Sequence, residues 1–187
     1  MRVRCEAVAR RRRNVLTLLA LVGLSLPVES AAQGVRGGAD SVRVQLAGVE
    51  PAGADVRDGP QVEVRVAIVH AKAFHSWPDE PVVPAELRGL NPIATSIRIV
   101  SAPEGVELLG IEWPDPVPVT VRYSAEPLEL LSFVDTTVAR MRLRVPPRLE
   151  ADARVELQVQ FQSCDEEYCY PPRRETLSAP LAPDSRP

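Results

Sequence analysis

Apolar residues recur at every second position in five stretches of this chain: Val42, Val44, Leu46; Val62, Val64, Val66, Ile68; Ile97, Ile99; Met141, Leu143, Val145; and Val155, Leu157, Val159, Phe161. A period of two sets the apolar side chains of a stretch on one face of an extended strand; a helix would need them every third or fourth residue. Gly or Pro stands in nearly every gap between the stretches (Gly53, Gly59 and Pro60, Pro78, Gly89, Pro92, Pro103 and Gly105, Pro146 and Pro147). No stretch keeps a helical period for three turns. The pattern predicts one all-β domain of roughly seven to nine antiparallel strands, folded as an immunoglobulin-like β-sandwich. The stretch 113–119 holds Pro114, Pro116 and Pro118. Prolines at alternate positions cannot all donate to a ladder, so a loop or a sheet edge is expected there.

The first 32 residues predict an export signal. Arg2, Arg4, Arg10, Arg11, Arg12 and Arg13 precede an apolar run at 15–28, and the small residues Ser30-Ala31-Ala32 follow, with cleavage expected after Ala32. The run is shorter than the roughly 18 to 20 residues that cross a bilayer, and no second run follows it. A soluble, exported protein without stable membrane insertion is expected, an uncleaved anchor being the alternative. Cys5 lies ahead of the apolar run, the wrong side for a lipidation cysteine. The mature chain then reads as a flexible segment 33–40, a domain at 41–181 and a flexible tail 182–187. Signal removal takes six of the 22 basic and two of the 25 acidic residues, leaving 16 against 23 and a formal charge of −7. That balance argues against a nucleic-acid partner.

Only two cysteines remain in the mature chain, Cys164 and Cys169. In an oxidising compartment such a pair is joined, or cycles between joined and free. The strand expected at 154–161 runs straight into Cys164, and Pro171-Pro172 ends any ladder after Cys169, which predicts an exposed, loop-like setting. A bridge over so short a loop stabilises by roughly 2 kcal/mol, against nearly 5 for a loop of about a hundred residues. Three readings stand: a redox-active pair, a local staple, and a soft-metal site with His70 or His75. The usual zinc spacings are absent, and no metal is expected. A thioredoxin fold is excluded, since no Cys-x-x-Cys opens a helix. Asp165, Glu166 and Glu167 lie between the sulfurs, and their charge disfavours a thiolate. A weakly activated pair suits exchange inside a docked complex; a solvated turn would have the same sequence.

Phe161-Gln162-Ser163-Cys164 and Cys169-Tyr170-Pro171-Pro172, with a closing strand at 175–181, resemble the N-terminal periplasmic domain of the thiol:disulfide interchange protein DsbD, the disulfide bond corrector domain. Phe74-His75-Ser76-Trp77 before Pro78, and the stretch from Gly105-Val106 to Ile111-Glu112-Trp113-Pro114, extend the resemblance over most of 41–181. It implies an immunoglobulin-like domain acting as a protein-disulfide reductase without a cofactor. Its Cys164/Cys169 pair would take electrons from a membrane-embedded thiol reductase and pass them to thioredoxin-like periplasmic proteins. In that family a loop bearing an aromatic residue caps the disulfide. The matching region, 114–124, offers Asp115, prolines and Tyr123 but no capping Phe, so other residues would shield the pair. The spacing of the cysteines is one residue shorter than in some members. The sequence ends soon after the closing strand, so the module is expected to borrow both partners.

Around the pair, His75 is a candidate for proton transfer, although a histidine on an exposed loop is usually a bystander. Trp77 and Trp113 read as packing residues. Tyr168 and Tyr170 flank Cys169 as a candidate apolar rim for a partner, and Pro171 fixes the chain direction beside the sulfur. The competing function is a secreted immunoglobulin-like binding or structural module with an inert disulfide.

Overall fold

The period-two stretches become the central strands of two facing sheets. The computed structural model describes residues 41–55 and 59–182; the segments read as 1–32 and 33–40, and 183–187 of the tail, lie outside the described residues. In chain order the strands are β1 (Val42–Asp55), β2 (Gly59–His70), β3 (His75–Ser76), β4 (Ser96–Ser101), β5 (Glu107–Glu112), β6 (Val117–Val121), β7 (Leu128–Val134), β8 (Thr136–Arg144), β9 (Arg154–Phe161), β10 (Ser163–Cys164) and β11 (Arg173–Pro180). Every ladder between them is antiparallel. The chain is an all-β, immunoglobulin-like sandwich; its helical content among the described residues is a 3-10 turn at Ala85–Leu87.

One sheet has the order β1-β2-β8-β5 and the sheet facing it β11-β9-β4. Val62, Val64, Val66 and Ile68 of β2 and Met141 and Leu143 of β8 meet Val155, Leu157, Val159 and Phe161 of β9 in a single buried cluster, joined by Ile97 and Ala179. Removing each large side chain from water contributes about 1.5–3 kcal/mol. Register follows from the same pattern, because a slip of one residue would turn a whole apolar row to solvent.

A third sheet, of order β10-β3-β7-β6, extends from one end of this sandwich. Beneath it lies a second cluster of Trp77, Leu87, Val121, Leu130 and Cys164. Its inner ladders are two residues long: Cys164 lies opposite His75, and Ser163 opposite Ser76, while His75 and Ser76 lie opposite Val134 and Phe133 of β7. The turn from β2 to β3 aims this segment. Ala73 takes φ +68° there, a left-handed conformation that costs a non-glycine residue roughly 1–2 kcal/mol. Bonds from the Ala71 N–H to the Ser41 carbonyl (2.6 Å) and from the Phe74 N–H to the Ala71 carbonyl (3.0 Å) hold it.

The proline-rich stretch divides. Pro114 and Pro116 precede β6, whereas Pro118 lies within β6, opposite Leu131, on the outer strand of the third sheet where no donor is required of it. β5 left no alternation in the sequence because it is an edge strand exposed along almost its whole length. Cross-strand pairs of Arg140 with Glu112 (3.6 Å) and Arg144 with Glu107 (3.2 Å) line it instead.

Candidate functional site: a disulfide across a hairpin

Cys164 and Cys169 are joined by a disulfide, S–S 2.06 Å, across a tight hairpin. The Tyr170 N–H donates to the Ser163 carbonyl (2.8 Å) and the Asp165 N–H to the Tyr168 carbonyl (2.9 Å). These bonds flank the two cysteines and leave them as a non-hydrogen-bonded pair, the position where opposing side chains come closest; their Cα atoms are 4.0 Å apart. Asp165 builds the turn. Its Oδ1 accepts the N–H groups of Glu167 (2.9 Å) and Tyr168 (2.8 Å), and its Oδ2 accepts the Tyr170 hydroxyl (2.7 Å). Burial pushes the Asp165 carboxyl up, but these bonds outweigh it and hold the group below the usual carboxylate range. The acidic run is therefore more than a solvated turn.

The two sulfurs sit in different surroundings. Cys164 is 0% exposed, set among Trp77, Leu87, Val121 and Leu130, whereas Cys169 is only partly buried against the same cluster. The expected exposed, loop-like setting is thus incorrect for Cys164. The reason is that the chain does not leave the fold after β9: it passes through Gln162 into β10, which pairs with β3. Exposure begins at Glu166, and Tyr168 at the tip is 65% exposed.

His75 is not on an exposed loop either; it is 2% exposed, on β3, directly across from Cys164. Its Nε2 lies 3.1 Å from the Tyr123 hydroxyl, which lies 2.7 Å from the Asp165 carbonyl and 3.6 Å from the Cys169 Sγ. A carbonyl only accepts, so the single hydroxyl hydrogen of Tyr123 goes to Asp165 and the His75 Nε2–H donates to the hydroxyl oxygen. Burial, reinforced by His70, lowers the His75 pKa to about 4, so the ring is neutral at pH 7. Burial, with the Asp165 charge adding to it, raises that of Tyr123, which stays protonated.

Tyr123 is brought here by its neighbour. The Arg122 N–H donates to the Glu166 carbonyl (2.6 Å), and the Arg122 guanidinium pairs with the Glu166 carboxylate at 3.3 Å. The segment after β6 is thereby fastened to the hairpin from the other side. Behind His75, the His70 Nδ1–H faces the Asp135 carbonyl (3.2 Å), which leaves Nε2 to accept the Ser76 hydroxyl (2.9 Å).

The remaining candidates are dispersed. Trp77 is 1% exposed and forms the floor under Cys164. Tyr168 and Tyr170 do not make a common rim: Tyr168 projects to solvent, while the Tyr170 ring faces Phe74 at 6.1 Å and its hydroxyl is tied to Asp165. Pro171 is exposed where the chain turns towards β11. Asp115 is exposed, two residues ahead of β6. Trp113 stacks on Phe133 at 5.4 Å.

Sequence reasoning missed Arg122, the hydrogen bond between His70 and Ser76, and the role of Gln162. The Gln162 side chain accepts the Ile93 N–H (3.0 Å) and donates to the Tyr170 carbonyl (3.1 Å), clamping the hairpin base. An isolated Arg or Gln carries no local pattern that could have exposed this. No three His, Cys, Asp or Glu side chains among the described residues are grouped to hold a metal ion.

No protein-family model matches the sequence, and no curated protein matches it. Among solved structures the chain is similar to the N-terminal periplasmic domain of ScsB from Proteus mirabilis, with TM-score 0.48 and 13% identity over 76% of this chain and 47% of that one. It thus spans about half the length of that ScsB chain. It is also similar to the N-terminal domain of DsbD from Neisseria meningitidis in the reduced form, with TM-score 0.38 and 12% identity over 72% of this chain and 84% of that one.

Proposed function

We propose that this chain is a periplasmic thiol-disulfide exchange module, relaying electrons through Cys164 and Cys169 from a membrane-embedded thiol reductase to thioredoxin-like proteins, with the cysteine pair as its only redox group. The observation that carries the reading is the placement of the disulfide. It closes a hairpin that backbone hydrogen bonds and Asp165 already close, so it ties no distant elements together, and one of its cysteines, Cys169, is only partly buried. A bridge over such a short loop stabilises by only about 2 kcal/mol.

The unequal burial of the two cysteines supports one order of events. A partner thiolate attacks the Cys169 sulfur, since Cys164 is enclosed; the new S–S bond forms as the Cys164–Cys169 bond breaks, and Cys164 leaves with the electron pair and takes up a proton. A second partner thiolate then attacks the mixed disulfide, releasing Cys169. Two electrons and two protons have passed from the partner dithiol, and the reverse sequence hands them on. Tyr123 stands beside Cys169 and supplies the shield expected of a capping residue. Among the described residues no helix is long and apolar enough to cross a membrane.

The complete burial of Cys164 favours a second reading, an inert structural bridge. Equilibration with dithiothreitol or glutathione buffers separates the two: exchange requires a reduction potential above about −300 mV, and a lower value would mark a structural disulfide. Cys164→Ala in the presence of a thioredoxin-like disulfide should trap a mixed disulfide through Cys169.

A further inference from the structure

We infer that the Tyr123 hydroxyl is the group that holds Cys169 as a thiolate after reduction, by turning its hydrogen from the Asp165 carbonyl to the sulfur. The inference gives a mechanism to the exchange reading above and rests on it for its biological use; the hydrogen bond itself is testable without a partner.

The hydroxyl oxygen lies 2.7 Å from one acceptor and 3.6 Å from the other, so rotation about the C–O bond redirects the hydrogen with little movement of heavy atoms. In the disulfide the Cys169 sulfur is neutral and a poor acceptor, and the carbonyl wins. Reduction by a partner dithiol delivers two electrons and two protons. Cys164, enclosed by apolar side chains and with its Sγ 3.9 Å from the Gln162 carbonyl, keeps its proton, because burial and a neighbouring acceptor both disfavour the charged form. Cys169 releases the second proton to water, and the resulting anion outcompetes a neutral carbonyl for the hydrogen, since charge-assisted bonds are about twice as strong as neutral ones. The His75 Nε2–H donates to the hydroxyl oxygen in either state, polarising O–H and holding the ring in place.

The charges facing Cys169 make such a donor necessary. From its own hairpin come the Asp165 carboxylate, Glu166, Glu167 and the Tyr168 and Tyr170 hydroxyls; β3 contributes neutral His75, with neutral His70 behind it; and the segment after β6 contributes Tyr123 and Arg122, whose guanidinium is paired with Glu166. The three carboxylates of the hairpin oppose a thiolate, and Tyr123 is the side-chain donor placed at the sulfur, 3.6 Å away.

The test is alkylation of the reduced chain by iodoacetamide from about pH 5 to pH 10, read separately on Cys164 and Cys169 by mass spectrometry, for the wild type and Tyr123→Phe. The ring survives this substitution and only the donor is lost. The Cys169 rate at neutral pH should fall about tenfold and its midpoint should rise by about one unit, with the Cys164 profile unmoved. Equal midpoints, or a uniform gain in rate at every pH, would show that Tyr123 merely screens the sulfur and would overturn the inference. In case the variant folds poorly, 3-fluorotyrosine in the unsubstituted chain gives a second reading: the 19F resonance of Tyr123 should titrate with the Cys169 midpoint, and a resonance indifferent to that titration overturns it equally. Failure to exchange with any thioredoxin-like protein would overturn the proposed function but not the hydrogen bond, because alkylation needs no partner.

Discussion

The sandwich core and the hairpin end of the molecule are stabilised by different means. Between the two large sheets, Val62 to Ile68 on β2 face Val155 to Phe161 on β9 through apolar contact alone, and each side chain has many equivalent neighbours. At the hairpin, order rests on particular donors and acceptors: Asp165 on two N–H groups and a hydroxyl, Gln162 on Ile93 and Tyr170, Tyr123 between His75 and the Asp165 carbonyl. Apolar packing is non-directional and tolerates exchange of one hydrophobe for another. A buried polar network is all-or-none, because a partner left unsatisfied costs about 1–3 kcal/mol. The site therefore occupies the part of the molecule that can be disconnected without dissolving the sandwich.

Substitutions should separate the two regions. Phe161→Ala, in the sandwich core, should cost about 3–5 kcal/mol, measured as a lower urea midpoint with the whole β circular-dichroism signal lost in one transition. A smaller midpoint change than that of any hairpin variant would reverse the comparison.

Acidification should act on the hairpin end. The folded-state pKa of His75 lies below its unfolded value of 6.5, at about 4. The unfolded chain therefore binds more protons between those values, and stability is fully present above about pH 6.5 and declines as pH falls towards 4. The size is roughly 3 kcal/mol, and the lowered pKa of His70 adds in the same direction. Urea denaturation across that window should be steeper in pH for the wild type than for His75→Gln; parallel curves would mean that the imidazole is not held neutral.

Opening the disulfide comes next in size. Cys164→Ala and Cys169→Ala should each abolish exchange with a thioredoxin-like protein while lowering stability by only about 2 kcal/mol. Unfolding of both variants at ambient temperature would instead identify the bridge as structural. The smallest effect is expected for Arg122→Ala. Its ion pair with Glu166 is exposed and contributes less than about 1 kcal/mol, so denaturation should barely change, whereas reduction of the disulfide by dithiothreitol should quicken as Tyr123 loses its anchor. An unchanged reduction rate would show that the Arg122 side chain does not hold the cover.

The sequence by itself determined the sandwich. Alternation over four or five residues is a local property, and since burying an alternating row requires a partner sheet, the strands at 62–68, 141–145 and 155–161 could be read without knowing what they pack against. The cysteine pair and its short loop were legible on the same terms, as was the proline-bearing edge near Pro118. Tertiary structure alone decided the site. β3 and β10 are two residues long, too short to show a period, and they exist because β9 continues past Gln162 and meets the segment that Ala73 turns inward. That meeting buries Cys164 and His75, which a local reading had placed at the surface. The segment after β6 then delivers Tyr123, because Arg122 finds Glu166 44 residues further along the chain. Hydrogen bonds of this kind depend on distances between atoms remote in sequence, and such distances leave no trace in residue spacing until the hydrophobic core has set the strands in place.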